Sequence, residues 1–296
     1  MTATLAKENA PIASAHSSAS VENILLILDG EPPSKAAIPV ACKLAETYAA
    51  TLHVTYVGER RLEAREIACN LGFSTEQRHG AVFDDVSGDA LGRVSKMTAQ
   101  LSRPLIVMST QTGRPAADKD RFASITESVV ATRPERMVLL TPDPSPQPWV
   151  LSRILLAHDG TPTSTPATCP AAELAQRSGA EVIALHVAAR GHERPREPGS
   201  LQAPRYLDQP QHEWPAWAEE FMNRVLASGA SPTAIQFQLA VTSGRPGSEI
   251  AELARERLVN LVVMAWHGHW DHQTCATRVV IQASGCPVLL VYSAEN

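Results

Sequence analysis

Residues 23–30 read NILLILDG, and residues 153–160 read RILLAHDG. Each is an apolar run ending in Asp-Gly and entering a turn rich in Pro, Ser or Thr before a helical pattern. The likeness persists downstream. Residues 52–57 (LHVTYV) and 184–189 (ALHVAA) read as second strands; IVMS before residue 110 answers VVMA before residue 266; MVLLT at 137–141 answers VLLVY at 288–292. Asp29 and Asp159 lie 130 residues apart while Met108 and Met264 lie 156 apart, so the second copy carries about 26 extra residues. Those extras fall in the Pro/Arg/Gln-rich run 191–211. A chain that restates itself in this way folds as two copies of one unit.

The strands within each copy are apolar runs without polar interruption, the signature of parallel strands covered on both faces. Between them lie helical patterns at residues 34–49, 62–71, 89–101, 167–177, 214–226 and 248–258, with further strands near 81, at 182–187 and at 235–241. Residues 243–246 read as the loop before the last of those helices. Strands alternating with helices give an α/β fold, a doubly wound and mainly parallel sheet in each copy. The expected divisions are a disordered tail at 1–20, a first domain at 21–142, a Pro-stiffened linker at 143–150, and a second domain at 151–296. In the closing unit, Asp271 is the expected N-cap of a helix that buries Val279, Val280 and Ala283. The loop at 267–272 sits just past a strand's carboxyl end, where open α/β sheets bind ligands.

A net charge of −5, with no basic stripe, gives no electrostatic case for nucleic acid. No apolar run reaches membrane-spanning length, and residues 1–20 lack the apolar centre of a secretory signal. Five scattered cysteines without a CxxC pair fit a reducing compartment, so the expected location is the cytoplasm.

With Asp29 and Asp159 after the first strands, SGRPGSEIAELARERLVNLVVMA at 243–265 and the closing CPVLLV, the sequence resembles the universal stress protein family in its tandem two-domain form. The resemblance implies a flavodoxin-like five-stranded fold in each half, pairing through the last strands as a homodimer or an intramolecular pseudo-dimer, and ATP binding as in some members. ATP-binding members carry Gly-x2-Gly-x9-Gly-Ser/Thr after the fourth strand, where small residues let main-chain N–H groups reach phosphate oxygens. An aspartate ending the first strand contacts the nucleoside. The matching positions in the first half are Asp29, Thr110, Gly113, Ala123 and Ser124; in the second they are Asp159, Ala265 and Gly268, with Thr274 and Cys275 in place of Gly-Ser. The second-half loop holds five intervening residues instead of nine. The expectation is a degenerate ATP site in the first half, set against a sheet-end loop that only closes the fold.

His267, His269, Asp271 and His272 spell the HxHxDH pattern of the metallo-β-lactamase fold. That chemistry needs further His and Asp ligands downstream, and the 24 residues after His272 hold neither. His267, His269 and His272 remain a candidate Zn²⁺ set, weighed against a solvated polar loop. His158 and Asp159 are strand neighbours facing opposite ways, which argues against a dyad. Trp214 and Trp217 share a helical face and are expected to cover the core. No complete catalytic set is present, so the chain reads as a non-enzymatic stress-response regulatory module engaging an unidentified protein partner. The alternatives are a ligand-free dimerising scaffold and a metal-binding module at the His267 loop.

Overall fold

The computed structural model describes residues 2–3, 20–29, 34–57, 64–86, 90–110, 126, 129–130, 137–145, 148–188, 214–227, 235, 237–267 and 276–293. The chain divides into two compact units. The first comprises Ala19–Val150 with Cys286–Leu289; the second comprises Met1–Ser18, Leu151–Gly285 and Leu290–Asn296.

A two-residue strand, β1 (Thr2–Ala3), precedes the first unit in the chain but belongs to the second. The first unit runs β2 (Asn23–Asp29), α1 (Ala37–Tyr48), β3 (Thr51–Val57), α2 (Ala64–Asn70), α3 (Thr75–His79), β4 (Ala81–Val86), α4 (Ala90–Gln100), β5 (Pro104–Ser109) and β6 (Met137–Thr141). Its strands lie in the order β6-β5-β2-β3-β4, and every neighbouring pair is parallel. Ile24 to Leu28 and Leu105 to Met108 are buried without exception, as strands sandwiched between helix layers must be. The sequence pattern gives no sign of the short helix α3; five residues are too few for a helical period to show.

The second half of the chain repeats the plan with β7 (Arg153–Ala157), α5 (Thr168–Ser178), β8 (Glu181–Ala188), α6 (Trp214–Ala227), β9 (Phe237–Ser243), α7 (Pro246–Glu256), β10 (Leu261–Trp266), α8 (Ala276–Ala283) and β11 (Val288–Tyr292), whose first two residues fall in the first unit. The order is β9-β8-β7-β10-β11, the same winding. Outside β9 lies β1, antiparallel, with Thr2 opposite Ala240 and Ala3 opposite Leu239. These two residues belong to the stretch expected to be disordered; an edge strand's unpaired N–H and C=O groups give them a place to pair. Of the two tryptophans expected over the core, Trp217 is buried. Residues 4–19 and the insertion 191–211 lie outside the described residues.

Three local expectations need correction. The strand expected at 235–241 is Phe237–Ser243, so Ser243 belongs to the strand and not to the loop. The helix after it starts at Pro246, two residues early, because proline suits a helix's first turn, where its missing N–H would have no partner. On α8 the buried residues are Thr277, Val280 and Ile281, while Val279 is half-buried and Ala283 is exposed. Part of the helix packs on another helix, with Gly247 of α7 approaching closely on its Ala276–Val279 side. A Cβ at Gly247 would lie 2.8 Å from Val279 Cβ and 2.9 Å from the Ala276 carbonyl oxygen. Asp271, the expected N-cap, lies outside the described residues.

The ladders also fix which residues of the two copies correspond. Ile27 pairs with Thr55 and Ala157 with Leu185, so the offset of 130 holds through the second strands. His186 therefore corresponds to Tyr56. The LHV triplets that make residues 52–57 look like 184–189 are out of step.

Candidate functional site

In both units the winding reverses between the first and fourth strands, and that is where a doubly wound sheet opens a crevice at its carboxyl ends. In the first unit Asp29 closes β2 at this point, with Thr110 just beyond β5. Asp29 is 3% exposed, and among the described residues its carboxyl has no side-chain partner. Burial pushes its pKa up to about 7, against the lowering effect of a hydrogen bond from its own main chain. It therefore takes up a proton at far higher pH than an exposed aspartate does. Thr110 is buried, and its N–H donates to the Thr141 carbonyl at 2.9 Å, so that amide is not available to a phosphate. Just ahead of α1, the Ser34 hydroxyl donates to Asp143 Oδ2 at 2.7 Å and accepts the Ala36 N–H at 3.2 Å. This bond ties residue 143, the start of the expected linker, to the first unit. Gly113, Ala123 and Ser124 lie outside the described residues.

The second unit uses the same positions differently. Asp159 is exposed as a residue, but its Oδ1 accepts both the Thr161 N–H at 3.0 Å and the Thr161 hydroxyl at 2.6 Å. An aspartate bonding the chain two residues ahead is an Asx-turn, which suits the Asp-Gly pair, with Gly160 at φ 83° in the left-handed region. Burial of its carboxyl opposes ionisation, but those bonds, with Ser164 and His158, hold it below the usual range. Ser164, at the position of Ser34, points instead to the Thr161 carbonyl and lies 3.1 Å from His158 Nδ1.

Ala265 sits inside β10, not in the loop beyond it. Met108 pairs with Ile27 and Met264 with Ala157, so Trp266, two residues after Met264, occupies the place of Thr110. Trp266 is buried, and a bulky indole stands where a phosphate loop needs a small residue. His267 Nδ1 lies 3.4 Å from the Ser293 carbonyl. Gly268, His269 and His272 lie outside the described residues, and among those described no group of three or more His, Cys, Asp or Glu could hold a metal. Sequence reasoning misses the Ser34–Asp143 bond, the substitution by Trp266, and the burial of His158 and His186. The offset of 130, carried residue by residue, is the signal that would have set the two histidines against Leu28 and Tyr56.

The universal stress protein family model matches residues 151–292. Residues 151–292, the second half of the chain, belong to the universal stress protein family. Universal stress protein YxiE of Bacillus subtilis (strain 168) is 29% identical over 156 residues, which are 48% of this chain and 99% of that protein. Among solved structures, a candidate universal stress protein from Pseudomonas aeruginosa UCBPP-PA14 superposes with a TM-score of 0.64 at 16% identity, covering 92% of this chain and 93% of its own. A universal stress protein from Archaeoglobus fulgidus DSM 4304 gives 0.61 at 15% identity, covering 92% and 97%. Both span nearly the whole of this chain, so the universal stress protein fold extends over its two halves. No helix among the described residues is long and apolar enough to cross a membrane.

Proposed function

We propose that this protein is a non-enzymatic, cytoplasmic regulatory module of the stress response that holds one ATP in the crevice of its first unit. The supporting observation is Asp29: a carboxyl buried at the switch point with no side-chain partner among the described residues. A buried carboxyl met only by its own main-chain N–H is under-satisfied, and a ligand that bonds to it removes that cost. On this reading Asp29 meets the nucleoside, and Gly113, Ala123 and Ser124 line the phosphates, with Thr110 supplying space instead of its amide. In the second unit Asp159 is engaged by Thr161 and Trp266 fills the loop's first position, so that crevice stays without nucleotide. The protein acts as a dimer or as paired halves, with nucleotide occupancy setting which partner surface is presented.

A second reading, a ligand-free scaffold, is favoured by one observation: the Thr110 N–H is already spent on Thr141. A third, Zn²⁺ at His267, His269 and His272, follows from the donor set alone. Mass spectrometry of the purified and then denatured chain, with elemental analysis of the same sample, separates them. Near-stoichiometric ATP or ADP supports the first reading, neither nucleotide nor metal supports the scaffold, and zinc without nucleotide supports the third.

A further inference from the structure

A pair of histidines is buried beneath α6, in the unit that does not carry the proposed nucleotide crevice. His158 follows β7 and is 3% exposed; His186 lies on β8 and is 5% exposed. The ladder sets them side by side, because Ala157 pairs with Leu185 and the His158 N–H donates to the Leu185 carbonyl at 3.0 Å. Both rings meet α6. His158 stands edge-on to Phe221 at 5.7 Å, and His186 lies 5.4 Å from Phe221 and 5.0 Å from Trp217. Trp217 stacks on Phe221 at 5.2 Å, so two aromatic rings of one helix cap two imidazoles.

The protonation state follows from the bonding. His158 Nδ1 accepts the Gly160 N–H at 2.9 Å, and a main-chain amide only donates, so the proton of the neutral ring sits on Nε2. Neither His158 Nε2 nor His186 Nδ1 has a partner among the described residues. A metal does not fit, since Nε2–H is a donor. Among the described residues the charged groups beside the pair are few. Asp159, on the loop, is committed to Thr161; Arg224 of α6 donates to the Gly160 carbonyl at 3.3 Å and pairs with Glu220. A proton arriving on either ring is attracted by the Asp159 carboxylate, but that attraction does not overcome the cost of burying the charge.

We propose that His158 and His186 form an acid-sensitive latch: while both are neutral α6 lies on β7 and β8, and protonation of either ring lifts α6 off and uncovers the Trp217–Phe221 face. Burial lowers the pKa of both, that of His158 to about 4, with Asp159 opposing and the neighbouring His186 reinforcing. In the closed form the rings bind protons less readily than when exposed at 6.5, so the open form gains as pH falls from about 6.5 towards 4. The first unit carries Leu28 and Tyr56 at these positions and has no such latch.

The test is amide hydrogen exchange of α6 in the full chain between pH 7.5 and 4.5, corrected for intrinsic exchange, beside the variant His158→Asn/His186→Tyr. Asparagine keeps an acceptor for the Gly160 N–H, and tyrosine is the first unit's residue. The wild type should open roughly tenfold more per pH unit below about 6, one proton's worth, while the variant changes about twofold or less. Protection of wild-type α6 down to pH 5, or equal opening in the variant, overturns the proposal. Should the variant not fold, ring-proton NMR of the wild type decides. Titration of His158 and His186 in step with α6 opening supports the latch, and titration near 6.5 with α6 still protected overturns it.

Discussion

Asp29 and Asp159 end equivalent strands of one repeated unit and have become different groups. Asp29 is buried with its carboxyl unengaged by any described side chain and its pKa raised; Asp159 is folded into an Asx-turn on Thr161 with its pKa lowered. The same offset turns Leu28 into His158, Tyr56 into His186 and Ala49 into Gly179. Duplication has preserved the apolar strands, which any core requires, and released the strand ends, which no core does. Site chemistry must therefore be read in each copy separately, however closely the folds agree.

The largest expected effect is on stability. Asp29 binds a proton more tightly folded, at about 7, than unfolded, at 3.8, so the first unit loses stability as pH rises through that window. At about 1.4 kcal/mol per unit the loss is on the order of 4 kcal/mol. Asp29→Asn should remove this slope and raise stability at pH 8, as read by urea denaturation at several pH values. His158 has the opposite sign: the second unit should weaken as pH falls from 6.5 towards 4. A common pH profile for both units would erase the contrast. Next comes ligand binding. Asp29→Ala should weaken ATP roughly thirtyfold, the loss of about 2 kcal/mol expected for a buried polar contact, while Asp159→Ala changes it about twofold or less.

Two smaller effects test packing. Gly247→Ala should cost about 1–3 kcal/mol, because the new methyl meets Val279 Cβ and the main chain of Ala276. The corresponding residue of α4 is Leu91. The helices α1 and α5 both end on a left-handed residue, Ala49 at φ 54° and Gly179 at φ 73°. Left-handed backbone costs an L-residue about 1–2 kcal/mol, and glycine gives back part of that in unfolded-chain entropy. Ala49→Gly should thus stabilise the first unit by about 0.5–1 kcal/mol, and Gly179→Ala should destabilise the second by a similar amount. At Gly179 nothing lies within 4 Å of the added Cβ, so the cost there is conformational alone. Thermal denaturation of the two variants measures both.

The fold was legible because its signal is periodic and redundant: uninterrupted runs such as LVVMA and LIVMS, each repeated, leave only parallel strands between helix layers. The site was legible only in position. That Asp29 and Asp159 close the first strands could be read; that one is buried and the other satisfied by Thr161 could not, since three-dimensional neighbours decide it. The buried face of α8 escaped a reading of its own residues for a like reason. It packs partly on another helix, where Gly247 brings α7 within contact distance of Val279. Motif spacing also placed Ala265 opposite Thr110, whereas hydrogen-bond register puts Trp266 there. A one-residue slip exchanges a methyl for an indole.

The most direct test of the central claim is isothermal titration of ATP into the full chain, wild type beside Asp29→Ala and Asp159→Ala. One site per chain is expected, weakened at least about tenfold by Asp29→Ala and unchanged by Asp159→Ala. Two equivalent sites, a site sensitive to Asp159 instead of Asp29, or no binding at all would contradict it.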